Sequence, residues 1–166
     1  MRWILGIGVG LFLIFGLAFV VGLALPKGHR ASRTVSLDAD AARVFAVISD
    51  FRRYPEWRPD VKKIEVDGDG SLGTIVREES TMGTIPFKVE TLTNSSRMVM
   101  RIADPSLGFG GTWTYELQPQ GGGTSLTITE DGEVYNPFFR VMQKFFFSPY
   151  KTIDTFLANL AKRLAD

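Results

Sequence analysis

The hydropathy pattern begins with an uncharged run over residues 3–25, filled by Leu, Ile, Val, Phe, Gly and Ala. As a helix rising ~1.5 Å per residue it reaches roughly 34 Å, against a hydrocarbon core of about 30 Å. The pattern predicts an N-terminal transmembrane anchor over residues 1–26 that crosses once. A cleaved signal peptide is the rival reading, with Gly22-Leu23-Ala24 as a small-x-small site. The run is longer than the ~7–15 apolar residues of such peptides. Arg2 stands at one end and Lys27, Arg30 and Arg33 at the other, so charge does not choose an orientation. Gly6 and Gly10 have the GxxxG spacing that lets two helices pack closely, a route to a homodimer.

Residues 27–30 read as a linker. A strand follows, with Ala31, Arg33, Val35 and Leu37 on one side. Asp38 or Asp40 caps a helix whose apolar positions are Ala41, Val44, Phe45 and Ile48. Asp50 opens a second, short helix through Phe51 and Tyr54, which Pro55 and Pro59 limit. From Val61 the period changes to two. Strands are expected near 61–66, 72–80, 84–93, 96–103, 111–118 and 124–134, separated by Gly, Asn, Asp and Ser turns, as in an antiparallel meander. A long helix closes the chain, capped by Asn136 and Pro137, with one apolar face from Phe138 through Met142, Phe145, Ile153 and Phe156 to Leu164. Pro149 predicts a kink or break in it.

An antiparallel sheet must cover one face, and the terminal helix is the only large apolar cover the soluble part offers. The expected class is α+β: a curved sheet of about six or seven strands round a long C-terminal helix, with two short helices after the first strand. Residues 31–166 form this domain.

Composition narrows the chemistry. Lys plus Arg number 19 and Asp plus Glu 18, so no basic face for nucleic acid is implied. With no cysteine there are no disulfides, zinc-thiolate sites or thiol nucleophiles. The single histidine, His29, lies beside the predicted anchor, away from any expected site. No metal or cofactor is called for. The run GDGSLG at residues 68–73 matches G-x-G-x-x-G but sits between two strands with no helix after it, so it is read as a hairpin turn.

The stretches VSLDADAARVFAVISDFRRYPEWRPDVKKIEV (35–66), TWTYEL (112–117) and EVYNPFFRVM (133–142) resemble the START-like, or helix-grip, superfamily, in its polyketide cyclase/dehydrase and lipid-transport branch. The resemblance covers residues 31–164. It implies that Phe51, Tyr54 and Trp57 fill the corner where the short helices close one end of the sheet. Arg52, Arg53, Glu56 and Arg58 would then point to water.

It also implies a cavity between sheet and helix. Alternation nominates its lining as Phe87, Met98, Met100, Trp113, Tyr115 and Ile128 on strands, with Met142, Phe145, Phe146 and Ile153 on the helix. The same alternation turns Glu130 inward as a candidate general acid or base, with an arginine such as Arg77 as a purely structural partner. One of Glu78 and Glu79 must also face inward.

Three functions follow. The leading one is a membrane-anchored binder of a hydrophobic small molecule or lipid, tethered through residues 3–25. The others are a cyclase- or dehydratase-type enzyme using Glu130, and an interaction module with a filled core. Phe145-Phe146-Phe147 adds a further expectation: three consecutive positions spread over roughly 200° of a helix, so one buried face does not hide them all.

Overall fold

Among the described residues, seven antiparallel strands form one sheet in the order β1-β7-β6-β5-β4-β3-β2. Their spans are β1 Gly28–Leu37, β2 Val61–Asp67, β3 Ile75–Ser80, β4 Gly83–Thr93, β5 Arg97–Ile102, β6 Phe109–Gln120 and β7 Gly123–Val134. Among the described residues there are five helices: α1 Arg2–Ala24, α2 Ala41–Ser49, α3 Tyr54–Trp57, α4 Pro137–Phe146 and α5 Lys151–Ala165, with a 3-10 turn over Phe51–Arg53 leading into α3. This is a computed structural model describing residues 2–81 and 83–166, with side-chain surroundings from residue 10 onward except residue 11.

Strands β2 to β7 run as a meander, and β1 adds to the free edge of β7 in unbroken register from Gly28↔Glu133 to Leu37↔Thr124. Pairing begins at Gly28, so the expected linker over 27–30 is mostly strand. A register shift between Val89 and Thr91 inserts an extra residue in β4, which bends and twists a strand locally. The GDGSLG run is a turn between β2 and β3, with Gly68, Gly70 and Gly73 at φ of 129°, 91° and 90°. Such positive φ values suit glycine.

The short helices close one end as their sequence dictates. The Asp40 carboxylate accepts from the Arg43 backbone N–H at 2.8 Å and starts α2. Val44, Phe45 and Ile48 are its buried face. Phe51, Tyr54 and Trp57 are all buried, with Trp57 9% exposed. The Tyr54 hydroxyl donates to the Ile48 carbonyl at 2.6 Å, giving its buried polar tip a partner. Phe156 of α5 meets both Trp57 (5.3 Å between centroids, 77°) and Tyr115 (5.5 Å). The edge-to-face Trp57–Phe156 contact and the tilted Tyr115–Phe156 contact fix the lid on the core.

Arg58 departs from expectation. It is 7% exposed, and its guanidinium donates to both Glu78 oxygens and to Asp60, each at 2.8 Å. Burial opposes its charge most strongly, but the ion pair with Glu78 and the hydrogen bonds to Glu78 and Asp60 together outweigh it and hold the group above the ordinary arginine range. Sequence alone left open which of Glu78 and Glu79 turns inward, and Arg58 identifies it as Glu78.

The terminal helix is two helices. Pro149 has no N–H to give and pushes Ser148 out of helical geometry. Phe147 is accordingly extended, at φ −119° and ψ 134°. Beyond the break α5 buries Ile153, Phe156, Leu157, Leu160 and Leu164. Before it, α4 buries only Arg140, so the continuous buried face expected from Phe138 onward begins at Ile153.

The transmembrane anchor expected at residues 1–26 is corrected by the structure. Among the described residues no helix is long and apolar enough to cross a membrane. The C-terminal end of α1 instead docks on α4. Phe138 packs against Phe15 (6.2 Å) and Phe19 (5.5 Å), and a Cβ on Gly22 would overlap the Pro137 carbonyl. Buried Arg140 donates to the carbonyls of Val134 (2.8 Å), Tyr135 (2.8 Å) and Gly22 (3.1 Å). One guanidinium thus ties the orphan carbonyl end of α1 to the junction between β7 and α4. The surroundings of Gly6 lie outside the described residues, and a Cβ on Gly10 would meet nothing within 4 Å.

Candidate functional site

Strand alternation puts Phe87, Val89, Met98, Met100, Trp113, Tyr115, Leu117, Leu126 and Ile128 on the face turned to the helices. Under α5 this face is closed: Val89, Met98, Met100, Tyr115, Leu117, Leu126 and Ile128 are buried with Ile153, Phe156 and Leu160. Cover thins past Met100 and Tyr115. Phe87, Ile102 and Trp113 are half-buried, although Trp113 still touches Tyr115 (6.2 Å) and Phe156 (6.3 Å). Burial pushes the Tyr115 hydroxyl above the usual tyrosine range, so it stays protonated.

Beside Trp113 stands a polar cluster from three elements. Glu130, the cross-strand neighbour of Trp113, is half-buried, with the His29 Nε2 3.3 Å from its Oε1. The Gln143 amide nitrogen on α4 lies 2.9 Å from His29 Nδ1. A consistent arrangement has Gln143 donating to Nδ1 while the Nε2–H donates to Glu130. Gly132, directly opposite His29, seats the ring, since a Cβ there would overlap the imidazole. Burial pushes the Glu130 carboxyl above the ordinary carboxylate range, and the neighbouring His29 only partly offsets this. A carboxyl held in this way exchanges a proton more readily near neutrality than a solvated one.

Behind the cluster, an open depression of about 350 Å³ is lined by Gly28, His29, Arg30, Asp131, Gly132 and Glu133. Its lining is glycine backbone, the His29 ring and the charged side chains of Arg30, Asp131 and Glu133, which does not suit the body of an apolar ligand. Among the described residues no cluster of three or more His, Cys, Asp or Glu could hold a metal ion.

The predicted lining residues fall into three groups. Met98, Met100, Tyr115, Ile128 and Ile153 are packed core. Phe87 and Trp113 border Glu130's end of the sheet and are only partly covered. Met142, Phe145 and Phe146 are exposed on α4 and do not join the others. Glu130 faces inward as alternation required, but its partner is His29, while Arg77 reaches towards Asp67 at 3.8 Å. His29 was missed. Extending the β1 alternation back from Ala31 by one inward position would have placed it on the inner face.

The polyketide cyclase / dehydrase and lipid transport family model matches residues 28–165. No curated protein sequence matches the chain. Among solved structures, norcoclaurine synthase from Thalictrum flavum superposes with a TM-score of 0.69 at 15% identity, covering 90% of this chain and 91% of that one. A START superfamily protein from Mycobacterium smegmatis gives 0.65 at 20% identity, over 82% and 97% of the two chains. Major latex-like protein 151 from Panax ginseng gives 0.65 at 10%, over 84% and 97%. At these identities the likeness is one of fold. The family match spans the whole sheet and both C-terminal helices, and the chain belongs to the polyketide cyclase / dehydrase and lipid transport family.

Proposed function

We propose that this protein binds a hydrophobic small molecule or lipid between the sheet and α4, and works beside the membrane that supplies it. The observation that carries the reading is the uneven cover of one apolar face. Closed under α5, the face is only partly covered at Phe87, Ile102 and Trp113, and His29, Glu130 and Gln143 converge beside Trp113. A mostly apolar surface with a few convergent polar groups is the usual composition of a small-molecule site. It fits a ligand with an apolar body and one hydrogen-bonding head. Mass spectrometry of an organic extract from the full chain, purified in a mild detergent, tests this. A stoichiometric apolar molecule supports it; loss of that molecule in Trp113→Ala, with the fold kept, places it at this face.

Glu130 favours a second reading, proton transfer to or from the bound ligand in a cyclase- or dehydratase-type reaction. Its half-buried, His29-paired carboxyl has the environment of a general acid or base. Glu130→Gln keeps the shape and removes the titrating group. Full turnover of an identified ligand by that variant would eliminate this reading and leave binding.

A further inference from the structure

The exposed apolar surface is concentrated in one place. Among the described residues, the large apolar side chains left exposed lie on α1 and residues 138–147, apart from Leu72, Phe109 and Tyr135. Phe145, Phe146 and Phe147 are 65%, 71% and 63% exposed, the first two on the helix to which α1 is tied through Arg140 and Phe138 and the third just past its end. A soluble monomer rarely leaves so large an apolar patch in water.

Charge is sorted around the same surface. Residues 1–37 and 135–153 contain no Asp or Glu, but they contain Lys27, Lys144 and Lys151, all exposed. Lys144 and Lys151 bracket the phenylalanine run. Two of the nearest acids are paired with other bases: Asp131 with Arg30 at 3.5 Å and Asp154 with Arg33 at 2.9 Å. Glu133 accepts from the Tyr135 hydroxyl at 2.8 Å. An apolar face edged by lysines that form no ion pair among the described residues complements an anionic lipid leaflet, with rings among acyl chains and ammonium groups at headgroup level. A second copy of the chain fits less well, because an isologous contact through this face brings like charges together.

We propose that the α1–α4 face docks on an anionic lipid surface, inserting Phe145, Phe146 and Phe147 into the acyl layer without the domain itself crossing. This goes beyond ligand binding and does not depend on it, since it needs no ligand in the domain.

The absence of cysteine permits a clean test. The full chain carrying Phe146→Cys, spin-labelled there, is diluted from detergent into phosphatidylcholine vesicles with or without phosphatidylglycerol. A second protein labelled at Ser95→Cys, in the β4–β5 turn, is the control. The expected result is binding about tenfold or more tighter with phosphatidylglycerol at low salt. On vesicles, label 146 should gain oxygen collisions and lose collisions with a water-soluble nickel complex, while label 95 stays aqueous. Three results overturn the proposal: label 146 remaining aqueous on bound protein, equal binding to neutral vesicles, or dipolar broadening between labels at 146 before vesicles are added. The last would assign the face to a second copy.

Discussion

Helices α4 and α5 are made of similar material and meet opposite fates. α5 buries Ile153, Phe156, Leu157, Leu160 and Leu164 and leaves its charges in water. In α4 the pattern is inverted: the arginine is buried, while Phe139, Met142, Phe145 and Phe146 are exposed. Both sequences have an apolar periodicity. The difference is what each helix packs on. α5 lies against the sheet, whereas α4, redirected by the break at residues 147–150, packs on α1 and reaches the sheet polar face first, through Gln143. Periodicity identifies a face that wants cover. It does not say what covers it.

Truncation should separate the two regions most sharply. Trp57→Ala removes a ring held between Tyr54 and Phe156 and should cost about 3–5 kcal/mol in urea unfolding. Next comes the ion pair under the lid. Glu78→Gln leaves a buried guanidinium without its main counter-charge, and a loss of about 3 kcal/mol is expected. A cost below ~1 kcal/mol would mean that Arg58 can reach water.

Glu130 should give a smaller, pH-dependent signal. Its carboxyl binds a proton more tightly in the folded state than in the unfolded chain. The folded state therefore holds more protons as pH rises from the ordinary carboxylate range through the raised folded value, and stability falls across that window. Unfolding of Glu130→Gln should lack this decline, and equal slopes for the two proteins would contradict it. The smallest effect is expected on α4. Phe146→Ser should change stability by no more than about 0.5 kcal/mol, as for most surface positions; a large loss would show that α4 is folded onto the core.

Local patterning made much of this legible in the sequence. Asp40, Asn136 and Pro137 mark helix starts by backbone chemistry that needs no tertiary context. Period-two alternation gave the strands and turned Glu130 inward. What it missed depends on partners distant in sequence. Arg58 looked solvent-facing until Glu78, twenty residues away, received it. His29 looked irrelevant until β1 paired with β7. The placement of the C-terminal end of α1 turned on α4, whose position no local rule specifies.

The proposed ligand would sit where α4 leaves the sheet partly covered. Photo-crosslinking the full chain with a diazirine-bearing fatty acid, then mapping adducts by mass spectrometry, addresses it directly. Saturable adducts on Phe87, Trp113 and Gln143, competed by unlabelled fatty acid, are the predicted result. Adducts confined to α1 and Phe145–Phe147, with none on the sheet face, would show a protein that touches lipid without holding it.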